Sequence, residues 1–232
     1  MRCGIRGRRL VAFLLVLLML TATVLPAGAT AKIVYRHACT GGEKRVALTF
    51  DDGPHPRYTP KILDILAEFG VEATFFAVGT NAETYPQLIH RILAEGHELG
   101  NHTYNHYHTP SMSGEALEKD VRSCDACLRR ITGEAPRLFR PPEGVCSEDV
   151  KRICAAMGYT IVLWSVDTRD WAHPSVGDIV RNVRANTANG SIILMHDFIG
   201  KNSPTPEALR QIIPMLQESG YEFVTVSRLL EG

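Results

Sequence analysis

Residues 45–78 of the chain, RVALTFDDGPHPRYTPKILDILAEFGVEATFFAV, contain one complete β-α-β pattern. The apolar runs 45–50 and 73–78 are typical of strands. Between them, residues 59–69 carry apolar side chains at helical spacing, with Pro60 in the first turn and Gly70 directly after the last one. A strand, a helix and a second strand in this order predict two parallel strands joined by a right-handed crossover.

The same alternation continues to the end of the chain. Five further strands are predicted at 98–101, 137–140, 160–164, 191–195 and 221–224. Five further helices are predicted at 86–95, 113–131, 147–157, 176–188 and 206–218. Six β-then-α units in series predict an α/β fold, and about seven parallel strands favour a distorted (β/α) barrel. We expect this single domain to occupy residues 45–232, after a short lead-in at residues 30–44.

The first 29 residues have the pattern of an export signal. Four arginines precede the unbroken apolar run 10–20, and an Ala-Gly-Ala triplet follows at residues 27–29. This order predicts a secretory signal peptide that is cleaved after Ala29. Residues 10–29 are also just long enough to cross a bilayer, so a retained membrane anchor is the alternative. Both alternatives place the domain outside the cytoplasm, as a secreted or cell-envelope protein.

The composition of the chain excludes several classes of protein. Hydrophobic residues make up 45% of the 232 residues, and 25 Lys and Arg balance 25 Asp and Glu. Disorder would need fewer apolar residues, and a nucleic-acid partner would normally require a basic excess. Without the four arginines of the signal, 21 basic residues face 25 acidic ones, and the net charge becomes −4. We therefore expect a mildly acidic globular domain that is monomeric and does not bind nucleic acid.

The cysteines predict neither a disulfide framework nor a zinc site of their own. Five of them follow residue 29, which is an odd number. Cys124 and Cys127 form a C-x-x-C pattern, but no second pair of this kind accompanies them. Cys124 belongs to the apolar face of the helix predicted at 113–131, so we expect it to pack in the core, with a redox role as a remote alternative.

Titratable side chains follow five of the predicted strands at the point where each strand ends. They are Asp51 and Asp52, His102 and His106, Arg140, Asp167 and Asp170, and His196. In a parallel α/β sheet, the carboxyl ends of the strands meet at one edge, and the loops there form the active face. Five separate segments that deliver such side chains to one edge favour an active site over simple packing.

The first two of these segments predict a metal site. His102 and His106 are spaced i, i+4, so on a helix or a helical turn both imidazoles project from the same face. Two histidines and one carboxylate can bind a divalent ion and leave positions open for water and substrate. Asp51 or Asp52 would supply the carboxylate, while the other would stay free to take a proton. Arg140 is the natural partner to orient this second aspartate through paired hydrogen bonds.

The later segments could supply an acid and an apolar wall. His196 ends the sixth predicted strand and could donate a proton to a leaving nitrogen. Its orienting carboxylate would be Asp167 or Asp197, and Asp167 is preferred because it lies at the end of the neighbouring strand. Trp171 and Leu194 offer apolar surface on which an acyl methyl group or the face of a sugar could rest.

Five segments together resemble a known family. They are residues 49–54 (TFDDGP), 102–106 (HTYNH), 140–144 (RPPEG), 167–171 (DTRDW) and 194–196 (LMH). In this order they are similar to the motifs of the polysaccharide deacetylases of the NodB-homology type, carbohydrate esterase family 4. The resemblance runs from Arg45 to Leu230 and implies a distorted (β/α) barrel. It also implies metal-dependent hydrolysis of the N-acetyl groups of amino sugars.

The resemblance assigns roles to the first three motifs. Asp51 looks like the catalytic base, oriented by Arg140. Asp52, His102 and His106 look like the ligands of a divalent metal ion, usually zinc.

The last two motifs receive roles in the same way. His196 looks like the general acid, tuned by Asp167. Trp171 and Leu194 would line the pocket for the acetyl methyl group. Asp170 looks like a contact that supports the region of Arg140 rather than a reacting group.

One position departs from the family pattern. The third motif usually carries an aromatic residue where this chain has Glu143. The family directs the backbone N–H of this residue toward the oxyanion, and any residue except proline can supply an N–H. The departure therefore bears on the sugar contact, because a carboxylate could favour a different glycan or repel an acidic one.

The sequence thus predicts a polysaccharide N-deacetylase that acts on a cell-wall or chitin-like glycan, with peptidoglycan favoured. One alternative is a metal-dependent esterase or amidase that acts on another acetylated substrate, such as xylan. A second alternative is a secreted glycan-binding protein without turnover, although no member of the proposed catalytic set is missing.

Overall fold

The computed structural model describes residues 30–37, 39 and 42–231. The predicted signal peptide or anchor at residues 1–29 lies outside the described residues and stays a prediction. Within these described ranges, no helix combines the length and the apolar character that a bilayer span requires.

In the described part of the chain, nine strands form one sheet in which all neighbours are parallel. They are β1 (Ile33–Val34), β2 (Lys44–Asp51), β3 (Thr74–Ala77), β4 (Glu98–Asn101), β5 (Leu138–Phe139), β6 (Thr160–Val162), β7 (Val166–Asp167), β8 (Ser191–His196) and β9 (Tyr221–Phe223). The order across the sheet is β1-β6-β5-β4-β3-β2-β8-β7, and β9 pairs with the first residues of β2. The predicted α/β barrel of parallel strands is confirmed.

Helices connect the strands and cover the outside of the sheet. They are α1 (Thr59–Phe69), α2 (Gly79–Thr84), α3 (Pro86–Ala94), α4 (Gly114–Thr132), α5 (Glu148–Met157), α6 (Val176–Asn186), α7 (Thr205–Glu218) and α8 (Val226–Leu230). Short 3-10 turns lie at Thr109–Ser111, Pro142–Gly144 and Asp170–Ala172. The side chains of Ser113 and Ser147 cap the starts of α4 and α5 by accepting a backbone N–H. Helix α1 ends at Gly70, whose φ of 64° lies in the left-handed region.

The alternation of side chains along β2 positions the site. Leu48 and Phe50 pack in a core cluster that includes residues of α1 and α7, so they face the helices. Ala47 packs in a second cluster whose members come mainly from strands, and this cluster fills the barrel interior. Because successive side chains point to opposite faces, Thr49 and Asp51 share the inward direction of Ala47.

The structure contains two short strands that the sequence does not predict. β1 and β7 have two residues each, which is too few to show an alternating pattern. β1 lies inside the predicted lead-in and pairs with β6, so this segment is part of the sheet. Only residues 163–165 separate β6 from β7, although these strands lie near opposite ends of the strand order. This short connection brings the two edges of the sheet together.

Candidate active site

Asp51 and Arg140 form a buried ion pair at the carboxyl edge of the barrel. Arg140 follows β5, and its side chain is 0% exposed. Its Nη1 donates to Asp51 Oδ1 at 2.7 Å and to Thr49 Oγ1 at 2.8 Å. Its Nε and Nη2 donate to two backbone carbonyls at the end of β6, at 3.0 and 3.1 Å. The guanidinium is therefore held on several sides and fixes one oxygen of Asp51, while Oδ2 lies 3.8 Å from His102 Nε2.

Asp52, His102 and His106 converge beside this ion pair. Asp52 Oδ1 lies 3.4 Å from His102 Nε2 and 3.0 Å from His106 Nε2. One ligand atom from each residue can be chosen so that all three lie within 4.8 Å of one another. Burial alone favours the neutral form of Asp52, but its contacts with the two imidazoles outweigh this and hold its pKa far below the ordinary range. The contact with Asp52 in turn raises the pKa of His106.

This donor set fits a divalent metal ion. His102 Nδ1 lies 2.7 Å from the backbone carbonyl of Arg140, so Nδ1 carries the proton and Nε2 keeps its lone pair. Asp52 Oδ1 is buried and finds no hydrogen-bond donor within the described residues. The carboxylate oxygen of Asp52 thus faces the Nε2 atoms of both histidines, and one cation can bind all three groups together.

The segment from His102 to His106 is a loop, which corrects the helical turn expected from the i, i+4 spacing. Thr103 and His106 have φ angles of 65° and 56°, in the left-handed region. The loop is held by Asp120, a buried residue of α4 that accepts hydrogen bonds from two backbone N–H groups and one side-chain amide of the loop. These contacts, rather than helical periodicity, turn both imidazoles toward the same carboxylate.

His196 lies on the other side of Asp51, at the end of β8. Its Nδ1 is 2.7 Å from Asp170 Oδ1, and its backbone N–H donates to Asp170 Oδ2 at 2.8 Å. Thr205 Oγ1 donates to the same Oδ2 at 2.7 Å. Burial alone would lower the pKa of His196, but the hydrogen bond and the charge of Asp170 outweigh it and raise the pKa to about 9. With Nδ1 engaged, Nε2 is the nitrogen left for a substrate.

The structure corrects the prediction that Asp167 orients His196. Asp167 lies at the pocket, but its Oδ1 accepts a hydrogen bond from the Arg169 N–H at 2.8 Å. Arg169 has a φ of 57°, so the chain turns sharply there and carries Asp170 back to the imidazole. The expectation that Asp170 supports the region of Arg140 is corrected by the same contact.

These groups line one pocket of about 400 Å³. Its lining residues are Asp51, Asp52, His102, His106, Glu143, Trp164, Asp167, Trp171, Leu194 and His196. Every residue that the sequence assigns to the site lines this pocket except Arg140, which is buried against Asp51, and Asp170, which is buried against His196. The side chains of Trp164, Trp171 and Leu194 give the pocket an apolar wall large enough for a small group such as a methyl.

Glu143 stands at the rim of this pocket. Its φ of 58° is in the left-handed region, and the next residue, Gly144, also has a positive φ. A Cβ on Gly144 would lie 2.5 Å from the ring of Trp164, so this close approach of the loop requires glycine. The Glu143 carboxylate lies 3.0 Å from His108 Nδ1, and both side chains are more than half exposed. The residue that departs from the family pattern therefore places a negative charge where a substrate would enter.

Three residues that shape the site, Asp120, Trp164 and Thr49, have no role in the site predicted from the sequence. Asp120 leaves a signal in the sequence, because it is an acidic residue beside Val121 on the apolar face of a helix. Trp164 and Thr49 leave none, because each lies in or next to an apolar strand run and its neighbours in space come from other strands. Only the curvature of the sheet brings them to the pocket and to Arg140.

Known proteins share both the sequence and the fold. Residues 38–162 match the polysaccharide deacetylase family. The chain is 46% identical over 190 residues to a peptidoglycan-N-acetylglucosamine deacetylase of Bacillus cereus, which covers 81% of this chain and 89% of the relative. It is 41% identical over 191 residues to a chitooligosaccharide deacetylase of Sinorhizobium fredii, which covers 78% of this chain and 89% of the relative.

A solved structure agrees with these relatives. The crystal structure of the Bc1960 peptidoglycan N-acetylglucosamine deacetylase, in complex with 4-naphthalen-1-yl-N-oxidanyl-benzamide, has a TM-score of 0.81 and 38% identity to this chain. The match covers 86% of this chain and 92% of that one. The family match includes more than half of this chain, and with it Asp51, Asp52, both histidines of the loop and Arg140. The resemblance seen in the five sequence segments is therefore confirmed, and the chain belongs to the polysaccharide deacetylase family.

Proposed function

We propose that the protein removes N-acetyl groups from the amino sugars of a cell-wall or chitin-like glycan, with peptidoglycan as the favoured substrate. The observation that carries this proposal is that one pocket contains two groups able to transfer protons, Asp51 and His196. Arg140 fixes the position of Asp51, and Asp170 fixes that of His196. Hydrolysis of an amide needs a base for the attacking water and an acid for the departing amine. The relatives described above are named as deacetylases of peptidoglycan and of chitooligosaccharides, which supports this choice of substrates.

Asp52, His102 and His106 would hold a divalent ion, for which we propose zinc. Two imidazoles and a carboxylate are a ligand set that zinc takes in catalytic sites, with further positions left open. When bound, the ion supplies Lewis acidity for hydrolysis of the amide. The hydrogen bond from His102 Nδ1 to the Arg140 carbonyl would orient this ligand and preserve its tautomer.

Asp51 and His196 would move the protons. Because Arg140 engages one oxygen of Asp51, a water molecule in the pocket meets the other oxygen and gives up its proton there. His196 Nε2 would give a proton to the amine as it leaves. Asp170 raises the pKa of His196 to about 9, so the imidazole is protonated at neutral pH and ready to act as an acid.

The pocket walls would hold the substrate. Trp171 and Leu194 would surround the acetyl methyl group, because they form its apolar side. Glu143, at the rim, would contact the sugar. Its charge is compatible with a neutral or a cationic glycan and disfavours an anionic group at the same position.

We also propose that the protein works outside the cytoplasm as a monomer. The basic and apolar N-terminus, followed by the Ala-Gly-Ala triplet at residues 27–29, supports export, and peptidoglycan lies outside the cytoplasm. Fractionation of expressing cells, with N-terminal sequencing of the exported protein, distinguishes cleavage after Ala29 from a retained anchor. Protein found in the cytoplasm with an intact N-terminus would contradict export.

The activity is tested by acetate release from purified peptidoglycan, from chitooligosaccharides and from acetylated xylan. We expect release from the first two, loss of release with a chelator, and recovery when zinc is added. The Asp51→Asn protein should bind zinc but release acetate about 100-fold more slowly or less. Asp64→Asn, which changes an exposed carboxylate on α1, is the matched control and should keep both properties.

Two outcomes would contradict the proposal. Acetate release from xylan alone would indicate an esterase. Zinc-loaded protein that releases no acetate from any of the three glycans would not be a deacetylase of this kind.

A further inference from the structure

Exposed aromatic side chains are concentrated at the carboxyl edge of the barrel. Among the described residues, the large hydrophobic side chains that are strongly exposed are Tyr35, Leu93, Tyr107, Trp171 and Phe198. Tyr107, Trp171 and Phe198 lie in the loops that follow β4, β7 and β8. Trp171 lines the pocket, whereas Tyr107 and Phe198 are not part of its lining. Exposed aromatic surface that adjoins a polar pocket is typical of a binding surface.

Phe198 is the outer ring of a stack of three aromatic side chains, which we call the Phe198 stack. Its ring is parallel to that of His55, with centroids 4.6 Å apart and an angle of 8° between the planes. His55 lies 5.2 Å from the ring of Tyr58, which is buried. The backbone N–H of His55 donates to Thr59 Oγ1 at 2.7 Å, and the ring Nδ1 of His55 accepts from the backbone N–H of Arg57 at 3.2 Å. The ring of His55 therefore covers one face of the Phe198 ring, and the exposed area of Phe198 belongs to the rest of its side chain.

The Phe198 stack is joined to both sides of the catalytic centre. Phe198 follows His196 by two residues, so their Cα atoms lie within about 7 Å of each other. His55 lies three residues after Asp52, one of the three candidate metal ligands. Asp197 is buried between these two loops and accepts a hydrogen bond from Thr59 Oγ1 at 2.5 Å. The stack thus has a set position relative to the pocket.

The chemistry of this surface suits a sugar ring. A pyranose presents one face of C–H groups, whose partial positive charge is attracted to the negative face of an aromatic ring. Burial and the positive charge of Arg57 lower the pKa of His55, which favours the uncharged imidazole in the stack. Phe198 also has no hydrogen-bonding group. The surface therefore favours the apolar face of a neutral sugar over an anionic group.

The strand order shows how a chain of sugars would cross the site. β8 lies directly on one side of β2, and β4 lies on the other side, beyond β3. Phe198 and Tyr107 therefore flank the pocket from opposite sides. A glycan that places one acetylated sugar in the pocket and continues toward the β8 side would pass the loop that carries Phe198.

We propose that the Phe198 stack is a platform for the sugar that neighbours the one being deacetylated. The substrate is then an oligosaccharide or a polymer rather than a single amino sugar. This inference rests on the proposed function, because it takes an acetylated glycan as the substrate. It adds a binding site outside the catalytic pocket and names the residue that makes the enzyme sensitive to chain length.

The test compares N-acetylated chitooligosaccharides of different length. The ratio of kcat/KM for the six-unit substrate to that for N-acetylglucosamine, which has no neighbouring sugar, is measured by acetate release. In Phe198→Ala this ratio should fall about two- to tenfold, the range of an aromatic stacking contact. Phe198→Tyr should keep the ratio. Phe198→Leu, which keeps apolar bulk without a ring, should lose it as the alanine variant does.

Tyr35→Ala is the matched control. Tyr35 is 54% exposed, but the next residue, Arg36, pairs with Ser191 at the start of β8, the opposite end from His196. Its removal should leave the ratio unchanged. A ratio that is the same in wild type and in both ring-deleting variants, or that Phe198→Leu retains in full, overturns the platform.

Binding separates this inference from the proposed function. Calorimetry with the six-unit oligosaccharide is carried out on the full chain, with and without the Phe198→Ala change. Weaker binding by the variant supports the platform even if wild type releases no acetate. An absence of acetate release would contradict the proposed deacetylase activity but not the platform. Equal affinity of the two proteins overturns the platform even if wild type is an active deacetylase.

Discussion

The contact between Asp170 and His196 predicts a specific effect of the change Asp170→Asn. Asp170 Oδ2 accepts hydrogen bonds from the His196 N–H and from Thr205, and the amide oxygen of asparagine can accept both. The asparagine NH₂ group then faces His196 Nδ1 in place of Oδ1. An NH₂ group donates to the neutral imidazole and carries no charge to favour the protonated one, so the pKa of His196 should fall to its ordinary value or below.

The size of the effect follows from the pKa. With Asp170 in place the pKa of His196 is about 9, and the ordinary value of a histidine is about 6.5. At pH 8, the protonated fraction of the imidazole would then drop from about 90% to about 3%, a loss of about 30-fold in the acid form. A bound cation lowers the pKa in both proteins alike, so the difference between them remains the measured quantity.

The assay is the pH dependence of kcat/KM for acetate release. Because His196 must be protonated to act as an acid, kcat/KM of wild type should fall as the pH rises through the pKa of His196. In Asp170→Asn this basic limb should move down by about two pH units or more. Asp167→Asn is the comparison, and its basic limb should stay in the wild-type position because Asp167 does not contact the imidazole. A basic limb that moves with Asp167 and not with Asp170 would refute the assignment.

The same contact predicts a pH dependence of stability. The folded pKa of His196 is raised above its unfolded value, so the stabilisation is fully present below about pH 6.5 and is lost as the pH rises through about 9. A shift of this size corresponds to about 3 kcal/mol. The free energy of unfolding of wild type should therefore decrease between pH 6 and pH 10, and Asp170→Asn should lack this component. Identical pH profiles of the two proteins in urea unfolding would contradict the raised pKa.

Three further predictions concern the candidate metal ligands and the loops that carry them. Asp52→Ala should lose the bound metal ion and activity together, whereas Asp51→Asn should keep the metal ion and lose activity about 100-fold or more, as measured by elemental analysis and acetate release. Gly53→Ala should lower the melting temperature, because a Cβ at this position would lie 2.0 Å from the carboxylate of Asp197, and a melting temperature equal to that of wild type would contradict this packing. Asp120→Ala should weaken zinc affinity about tenfold or more, because this residue holds the loop that carries both histidines, and competition with a chelating dye measures the change.

Local sequence signals were sufficient for most of the fold. Helix α1 is predicted at 59–69 and is observed at Thr59–Phe69, because Pro60 in its first turn and Gly70 after its end act within one turn of the helix. The longer strands were found for the same reason, since an apolar run of several residues is visible along the chain. β1 and β7 were missed because a strand of two residues is defined by its neighbours in the sheet rather than by its own sequence.

The candidate site was predicted to a similar extent. The ligand atoms of His102 and His106 were expected to meet one carboxylate, and they do, but on a loop with two positive φ angles instead of a helical turn. The i, i+4 spacing cannot predict a loop in place of a helical turn, because the conformation of the loop depends on Asp120, which lies on α4. The choice between Asp51 and Asp52 as the ligand was open from the residues alone and depends on which side chain reaches the imidazoles.

The order of strands and helices along the chain is enough to predict which residues lie at the active edge. In a chain of β-α units every strand has the same direction, so the residues after each strand must collect at one end of the barrel. Which of these residues contact each other depends on the three-dimensional fold. Asp167 and Asp170 arrive at the same edge, and the turn at Arg169 selects Asp170 as the partner of His196. A hydrogen bond depends on distances of a few tenths of an ångström between segments that are far apart in the chain, and those distances are set by the register and curvature of the sheet.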